Sequence, residues 1–67
     1  MKQVLAQLVA GDDLSAEVME RAVGLIMDGE ATPAQVGAFL VALRLKGETR
    51  SELVAAVRAM RARAVPL

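Results

Sequence analysis

The chain has no cysteine and no histidine. No disulfide can staple it, and the usual zinc ligand sets are excluded. It has no tryptophan and no tyrosine, and Phe39 is the only aromatic residue, so it offers no aromatic platform on which bases could stack. No uncharged apolar run approaches the ~18 residues of a membrane-spanning helix. The start, Met1-Lys2-Gln3-Val4-Leu5, carries one charge and too short an apolar run for a secretory signal, so a cytoplasmic setting is the expectation. A glycine-rich phosphate loop is missing as well. Eight basic residues balance eight acidic ones, which argues against a general electrostatic attraction to nucleic acid or anionic lipid.

What is present is aliphatic. Hydrophobic residues make up 55% of the 67 positions, above the ~45–50% of ordinary globular chains, and most are Ala, Val and Leu. A domain of this size buries only about 60% of its unfolded surface, so the excess apolar surface invites a partner. The charge is also uneven. Asp12, Asp13, Glu17, Glu20, Asp28 and Glu30 make the first half acidic. Arg44, Lys46, Arg50, Arg58, Arg61 and Arg63 make the second half basic. Solvated helix faces and pairing with helix dipoles are the simplest reading of both sets.

The chain reads as four helices. The first runs from Lys2 to Ala10, with Val4, Leu5 and Leu8 on one face and Gly11 as its stop. Asp12-Asp13-Leu14 is a turn, whose acids are explained by turn chemistry rather than by metal binding. Ser15 caps a second helix from Ala16 to Asp28, striped by Val18, Met19, Ala22, Val23, Leu25 and Ile26. Gly24 lies inside it, where close approach of a neighbouring helix is the expected reason, and Gly29 ends it. Thr32-Pro33-Ala34-Gln35 is a capping box with proline at the first helical position.

The third helix, Pro33 to Lys46, includes eight uncharged residues from Val36 to Leu43. Val36, Phe39, Leu40 and Leu43 form an inward stripe, Ala34, Ala38, Val41, Ala42 and Leu45 cover much of the remainder, and Gly37 suggests tight helix contact. A helix apolar on all sides is buried from more than one direction, and three short neighbours cannot do that alone. A second capping box, Thr49-Arg50-Ser51-Glu52, opens the fourth helix, Arg50 to Arg63, with Leu53, Val54, Val57 and Met60 inward. Ala55, Ala56, Ala59 and Ala62 lend it helix propensity. Pro66 disfavours helix at Val65. The fold class is therefore all-α, a compact bundle of four short helices with short capped turns, self-associating through apolar helix faces. Residues 1–64 form the helical domain and residues 65–67 begin a linker.

Leu14-Ser15-x-Glu17, then Ile26-Met27-Asp28-Gly29-Glu30-Ala31-Thr32-Pro33-Ala34-Gln35, then Ala38-Phe39-Leu40-Val41-Ala42-Leu43-Arg44-Leu45-Lys46-Gly47-Glu48-Thr49 follow one another in a specific order. This series, with Ala59-Met60-Arg61 near the end, resembles the N-terminal helical domain of the anthranilate phosphoribosyltransferases and covers almost the whole chain from Val4. The same domain occurs in pyrimidine nucleoside phosphorylases, whose first helix usually ends in a Lys-Lys-Arg type run. Ala6-Gln7-Leu8-Val9-Ala10 at that position favours the anthranilate family.

The resemblance implies a parent enzyme that transfers a phosphoribosyl group from phosphoribosyl pyrophosphate to anthranilate, with magnesium, in tryptophan biosynthesis. It places the pyrophosphate loop and the metal-binding acids in a larger α/β catalytic domain that is absent here. No catalytic, cofactor-binding or metal-binding residue is therefore assigned to this chain, and it is not expected to be an enzyme alone. Its implied work is dimerisation and domain closure. The competing reading is a free-standing helical interaction module, including a DNA-binding bundle that would use Arg58, Arg61 and Arg63. Zero net charge and the absence of Asn or Gln base readers on the fourth helix argue against the DNA version.

Overall fold

A computed structural model of the chain describes residues 1–63. They form α1 (Lys2–Val9), α2 (Ala16–Met27), α3 (Pro33–Lys46) and α4 (Arg50–Arg63), with no strand among the described residues. The proposed linker at 65–67 lies outside them. The helix limits follow the local signals closely. The Ser15 hydroxyl accepts the Val18 amide at 3.2 Å. At α3 both halves of the capping box form: the Gln35 amide donates to Thr32 Oγ1 at 3.1 Å, and the Thr32 amide donates to Gln35 Oε1 at 3.0 Å. The α2 stop is a Schellman turn, in which the Glu30 amide reaches back to the Leu25 carbonyl at 2.9 Å. Gly29 has φ +74° there, a conformation that side chains resist.

The helices pack as two pairs, α1 on α3 and α2 on α4. The Cα extents are 39 × 25 × 16 Å. The thinnest direction holds only two helix layers, so no side chain lies far from the surface. The core is Leu8 of α1, Leu14 of the first turn, Met19, Ala22 and Val23 of α2, Phe39 and Leu43 of α3, and Ala55 and Ala59 of α4.

Several expectations are corrected. On α4 the inward residues are Glu52, Ala55 and Ala59, while Leu53, Val54, Val57 and Met60 are 44–51% exposed. The reason is the α2–α4 approach: α2 presents Met19, Ala22 and Val23, and only a small-residue stripe on α4 lets the two axes come close enough to bury them. Leu40 of α3 faces outward. A Cβ added at Gly37 would meet nothing within 4 Å, so Gly37 makes no helix contact among the described residues. Gly24 does meet a neighbour, because the Arg63 guanidinium of α4 lies over it. From there Arg63 Nε donates to Asp28 Oδ1 at 3.0 Å, joining the far ends of α2 and α4.

Candidate functional site

Two kinds of site emerge from the packing: a buried polar clasp that holds the bundle together, and two apolar surfaces left uncovered. The clasp centres on Glu52, whose side chain is 0% exposed. As third residue of α4 it completes the second capping box. The Thr49 amide donates to Glu52 Oε1 at 2.9 Å, and the Glu52 amide donates to Thr49 Oγ1 at 3.1 Å. An ordinary capping-box glutamate stays at the surface. This one is driven inward because the Leu14 amide, beside a buried leucine, donates to its Oε2 at 2.6 Å across 38 residues of sequence. Lys46 Nζ supplies the counter-charge at 2.8 Å.

Lys46, with a side chain only 5% exposed, places its other protons on Asp13 Oδ1 and the Gly47 carbonyl, each at 2.9 Å. Both charges are thus fully engaged, as a buried pair requires. No buried side-chain nitrogen or oxygen among the described residues lacks a partner. Burial pushes the Glu52 carboxyl up, but the bonds from Lys46, Leu14 and Thr49 outweigh it and hold the carboxyl below its ordinary 4.5. The bond to Glu52 raises Lys46 above its ordinary 10.5, with burial opposing and Asp13 adding to the rise. Thr49 and Glu52 were legible as a cap. Their connection to Leu14, Lys46 and Asp13 was not, and the reading of all charges as solvated faces is corrected at this cluster.

The clasp is not a metal site. Asp13 is committed to Lys46, and no group of three His, Cys, Asp or Glu side chains among the described residues could hold a metal ion. The donor set therefore does not fit magnesium. No helix among the described residues is long and apolar enough to cross a membrane.

The first uncovered surface lies along α1 and α3. Leu40, Val41 and Leu45 are 58–83% exposed. Val9 of α1 joins Val41 and Leu45 on the rim of a shallow groove of about 460 Å³, floored by Leu8 and Ala42. On the outward side of α3 the only charge is Arg44. The second surface is the outer face of α4, where the four large side chains displaced from the core stand among Arg50, Arg58 and Arg61. The apolar character of α3 on all sides thus has a structural counterpart: one side fills the core through Phe39 and Leu43, and the other is left bare by this chain's own helices.

This arrangement is that of a known module. A family model described as "Glycosyl transferase family, helical bundle domain" matches residues 2–64. The chain belongs to that family. Among relatives of this glycosyl transferase bundle, an anthranilate phosphoribosyltransferase of Symbiobacterium thermophilum is 55% identical over 65 residues, covering 97% of this chain and 19% of that protein. Proteins of the same name from Brevibacillus brevis and Cellvibrio japonicus are 56% identical over 61 residues and 52% identical over 67 residues. They cover 91% and 100% of this chain, but only 18% and 20% of the relatives. The chain spans about a fifth of the length of the curated relatives it matches. In this bundle domain the clasp is a structural element, and the two bare faces are its candidate interaction surfaces.

Proposed function

We propose that this chain is the helical bundle domain of an anthranilate phosphoribosyltransferase, serving dimerisation and domain closure and contributing no catalytic residue of its own. The observation that carries this reading is the 52% identity that extends over all 67 residues to a relative bearing that name. The bare α1–α3 face supports the dimerisation half. It is mainly apolar, with Leu40, Val41, Leu45 and Val9 exposed on it, so two copies can meet there without bringing many like charges together. The remaining activity, transfer of phosphoribosyl from phosphoribosyl pyrophosphate to anthranilate in a cytoplasmic biosynthetic pathway, is assigned to an α/β domain outside this chain. We assign the magnesium of such an enzyme there too, because no acidic cluster among the described residues fits it.

A chimera tests the proposal. The matched segment of the Symbiobacterium thermophilum enzyme is replaced by this chain, and transferase activity is assayed. Activity near that of the unmodified enzyme is expected, with none from the 67-residue chain alone. A chimera that folds and dimerises but has lost activity overturns the closure role. An active chimera that stays monomeric overturns the dimerisation role.

A further inference from the structure

α2 and α4 lie side by side and run in the same direction. Their starts are joined by the bond from the Leu14 amide to Glu52, and their ends by Arg63 and Asp28. The second joint is built from three residues. Asp28 is the C-cap of α2, and α2 has no basic residue in its last turn. A carboxylate at that end of a helix opposes the dipole, so the place calls for a cation from elsewhere. Arg63, the last residue of α4, supplies it. Its Nε donates to Asp28 Oδ1 at 3.0 Å and its Nη2 to Oδ2 at 3.3 Å. Such two-point pairing fixes direction as well as distance. Gly24, one turn before Asp28 and buried, provides the seat. A Cβ there would come within 2.8 Å of Arg63 Cζ and 3.2 Å of Nη1, so only glycine leaves room for the guanidinium in this place. Among the described residues, Arg63 is the one arginine that meets a carboxylate.

We propose that Arg63 is a positioning residue, whose grip on α2 fixes the direction in which the chain leaves the bundle toward the catalytic domain. This inference rests on the reading of the chain as the helical domain of a larger phosphoribosyltransferase. An exposed ion pair between two free side chains has little hold. This one draws on a backbone seat as well, and both its anchors, Gly24 and Asp28, belong to α2 rather than to α4. The last turn of a helix otherwise frays, because its carbonyls have no partner within the helix. Held at Arg63, that turn stays wound, and whatever follows it starts from a fixed place beside the α2 stop. Closure of two domains on a substrate then begins from a narrower set of orientations. Where only a fraction of a protein is oriented to bind, its apparent affinity falls by that fraction. Loosening the joint therefore raises KM and leaves kcat, which reports the closed complex, nearly unchanged.

The test has two parts. In the 67-residue chain, amide hydrogen exchange is followed by NMR, with circular dichroism confirming that each variant is folded. Arg63→Gln removes the tether directly. Gly24→Ala removes it from the other side, displacing the guanidinium at little cost to the fold because that group is the free end of a flexible side chain. Each should quicken exchange of the last-turn amides of α4 about two- to fivefold, while those of Ala55 and Ala56 stay unchanged. The double variant should be no faster than either single one, since both changes break the same joint. Arg63→Lys keeps the charge but not the fork, and should behave like Arg63→Gln. In the chimera, Arg63→Gln should raise KM for phosphoribosyl pyrophosphate about two- to fivefold with kcat within about twofold. Unchanged exchange in both single variants, or full rescue by lysine, overturns the tether. Quickened exchange with unchanged KM, or a loss confined to kcat, overturns the positioning role. A chimera that is inactive with Arg63 in place overturns the parent-enzyme reading and this role with it, while the exchange rates still decide whether the tether exists.

Discussion

Glu52 is the residue on which most of the polar structure converges, and its environment fixes the sign of several outcomes. Replacing it by glutamine keeps the shape but leaves the Lys46 ammonium with only the exposed Asp13 as counter-charge. Removing one partner of a buried pair is destabilising, and in a domain this small even about 1–2 kcal/mol is a large part of the margin. Urea denaturation of Glu52→Gln should show a correspondingly lower midpoint. The pH dependence follows from the two directions of shift. Glu52 is held below 4.5 in the folded chain, so its contribution is present above that pH and is lost as pH falls through the lower folded value. Lys46 is raised above 10.5, so its contribution is present below that pH and is lost as pH rises through the higher folded value. Stability should be flat between these limits, and the acid limb should be shallower in Glu52→Gln, as urea midpoints across pH will show. Gly37 gives the opposite sign. It sits inside a helix with open space where a Cβ would point, so Gly37→Ala should stabilise the isolated chain by about 0.5–1 kcal/mol, measurable as a higher melting temperature. If α3 meets a second copy, the same change should weaken that contact.

At the scale of elements, the helices were legible and one of their orientations was not. The caps at Ser15, Thr32 and Thr49 and the stops at Gly11, Gly29 and Gly47 act within about four residues. A local pattern therefore carries them whole, and the four helix ranges agree with the sequence to within a residue. The inward face of α4 depends instead on what lies across from it. Its sequence holds two apolar stripes, one of alanines and one of Leu53, Val57 and Met60. Side-chain size favours the second, but the close approach of α2 selects the first. The reach of Glu52 to Leu14 was hidden for the same reason, its partner being 38 residues away. The orientation of α4 has its own test. Ala59→Leu, on the inward face, should destabilise by about 1–3 kcal/mol through overpacking. Leu53→Ala, on the outward face, should change the isolated chain by about 0.5 kcal/mol at most. Thermal melts of the two variants distinguish this packing from its inverse.

At the scale of the molecule, the two helix pairs leave much aliphatic surface bare on α1–α3 and α4. For the α1–α3 face we expect concentration-dependent self-association. Sedimentation at micromolar concentration should report a dimer, and Leu45→Asp, at a position 83% exposed, should return it to monomer without loss of helix content. A wild-type chain that remains monomeric at these concentrations would remove the dimerisation role from this face.

The clasp has a further consequence in time. Its bonds within the α3–α4 turn are local, but the link from the Leu14 amide to Glu52 spans 38 residues. We expect that link to be among the last contacts made on the way in and the first broken on the way out. Weakening such late contacts quickens escape from the native state and leaves the rate of arrival almost untouched. In stopped-flow traces, Glu52→Gln should steepen neither arm of the chevron but lift the unfolding arm alone. The buried carboxylate would then act as a latch that sets how long the bundle, once assembled, stays shut.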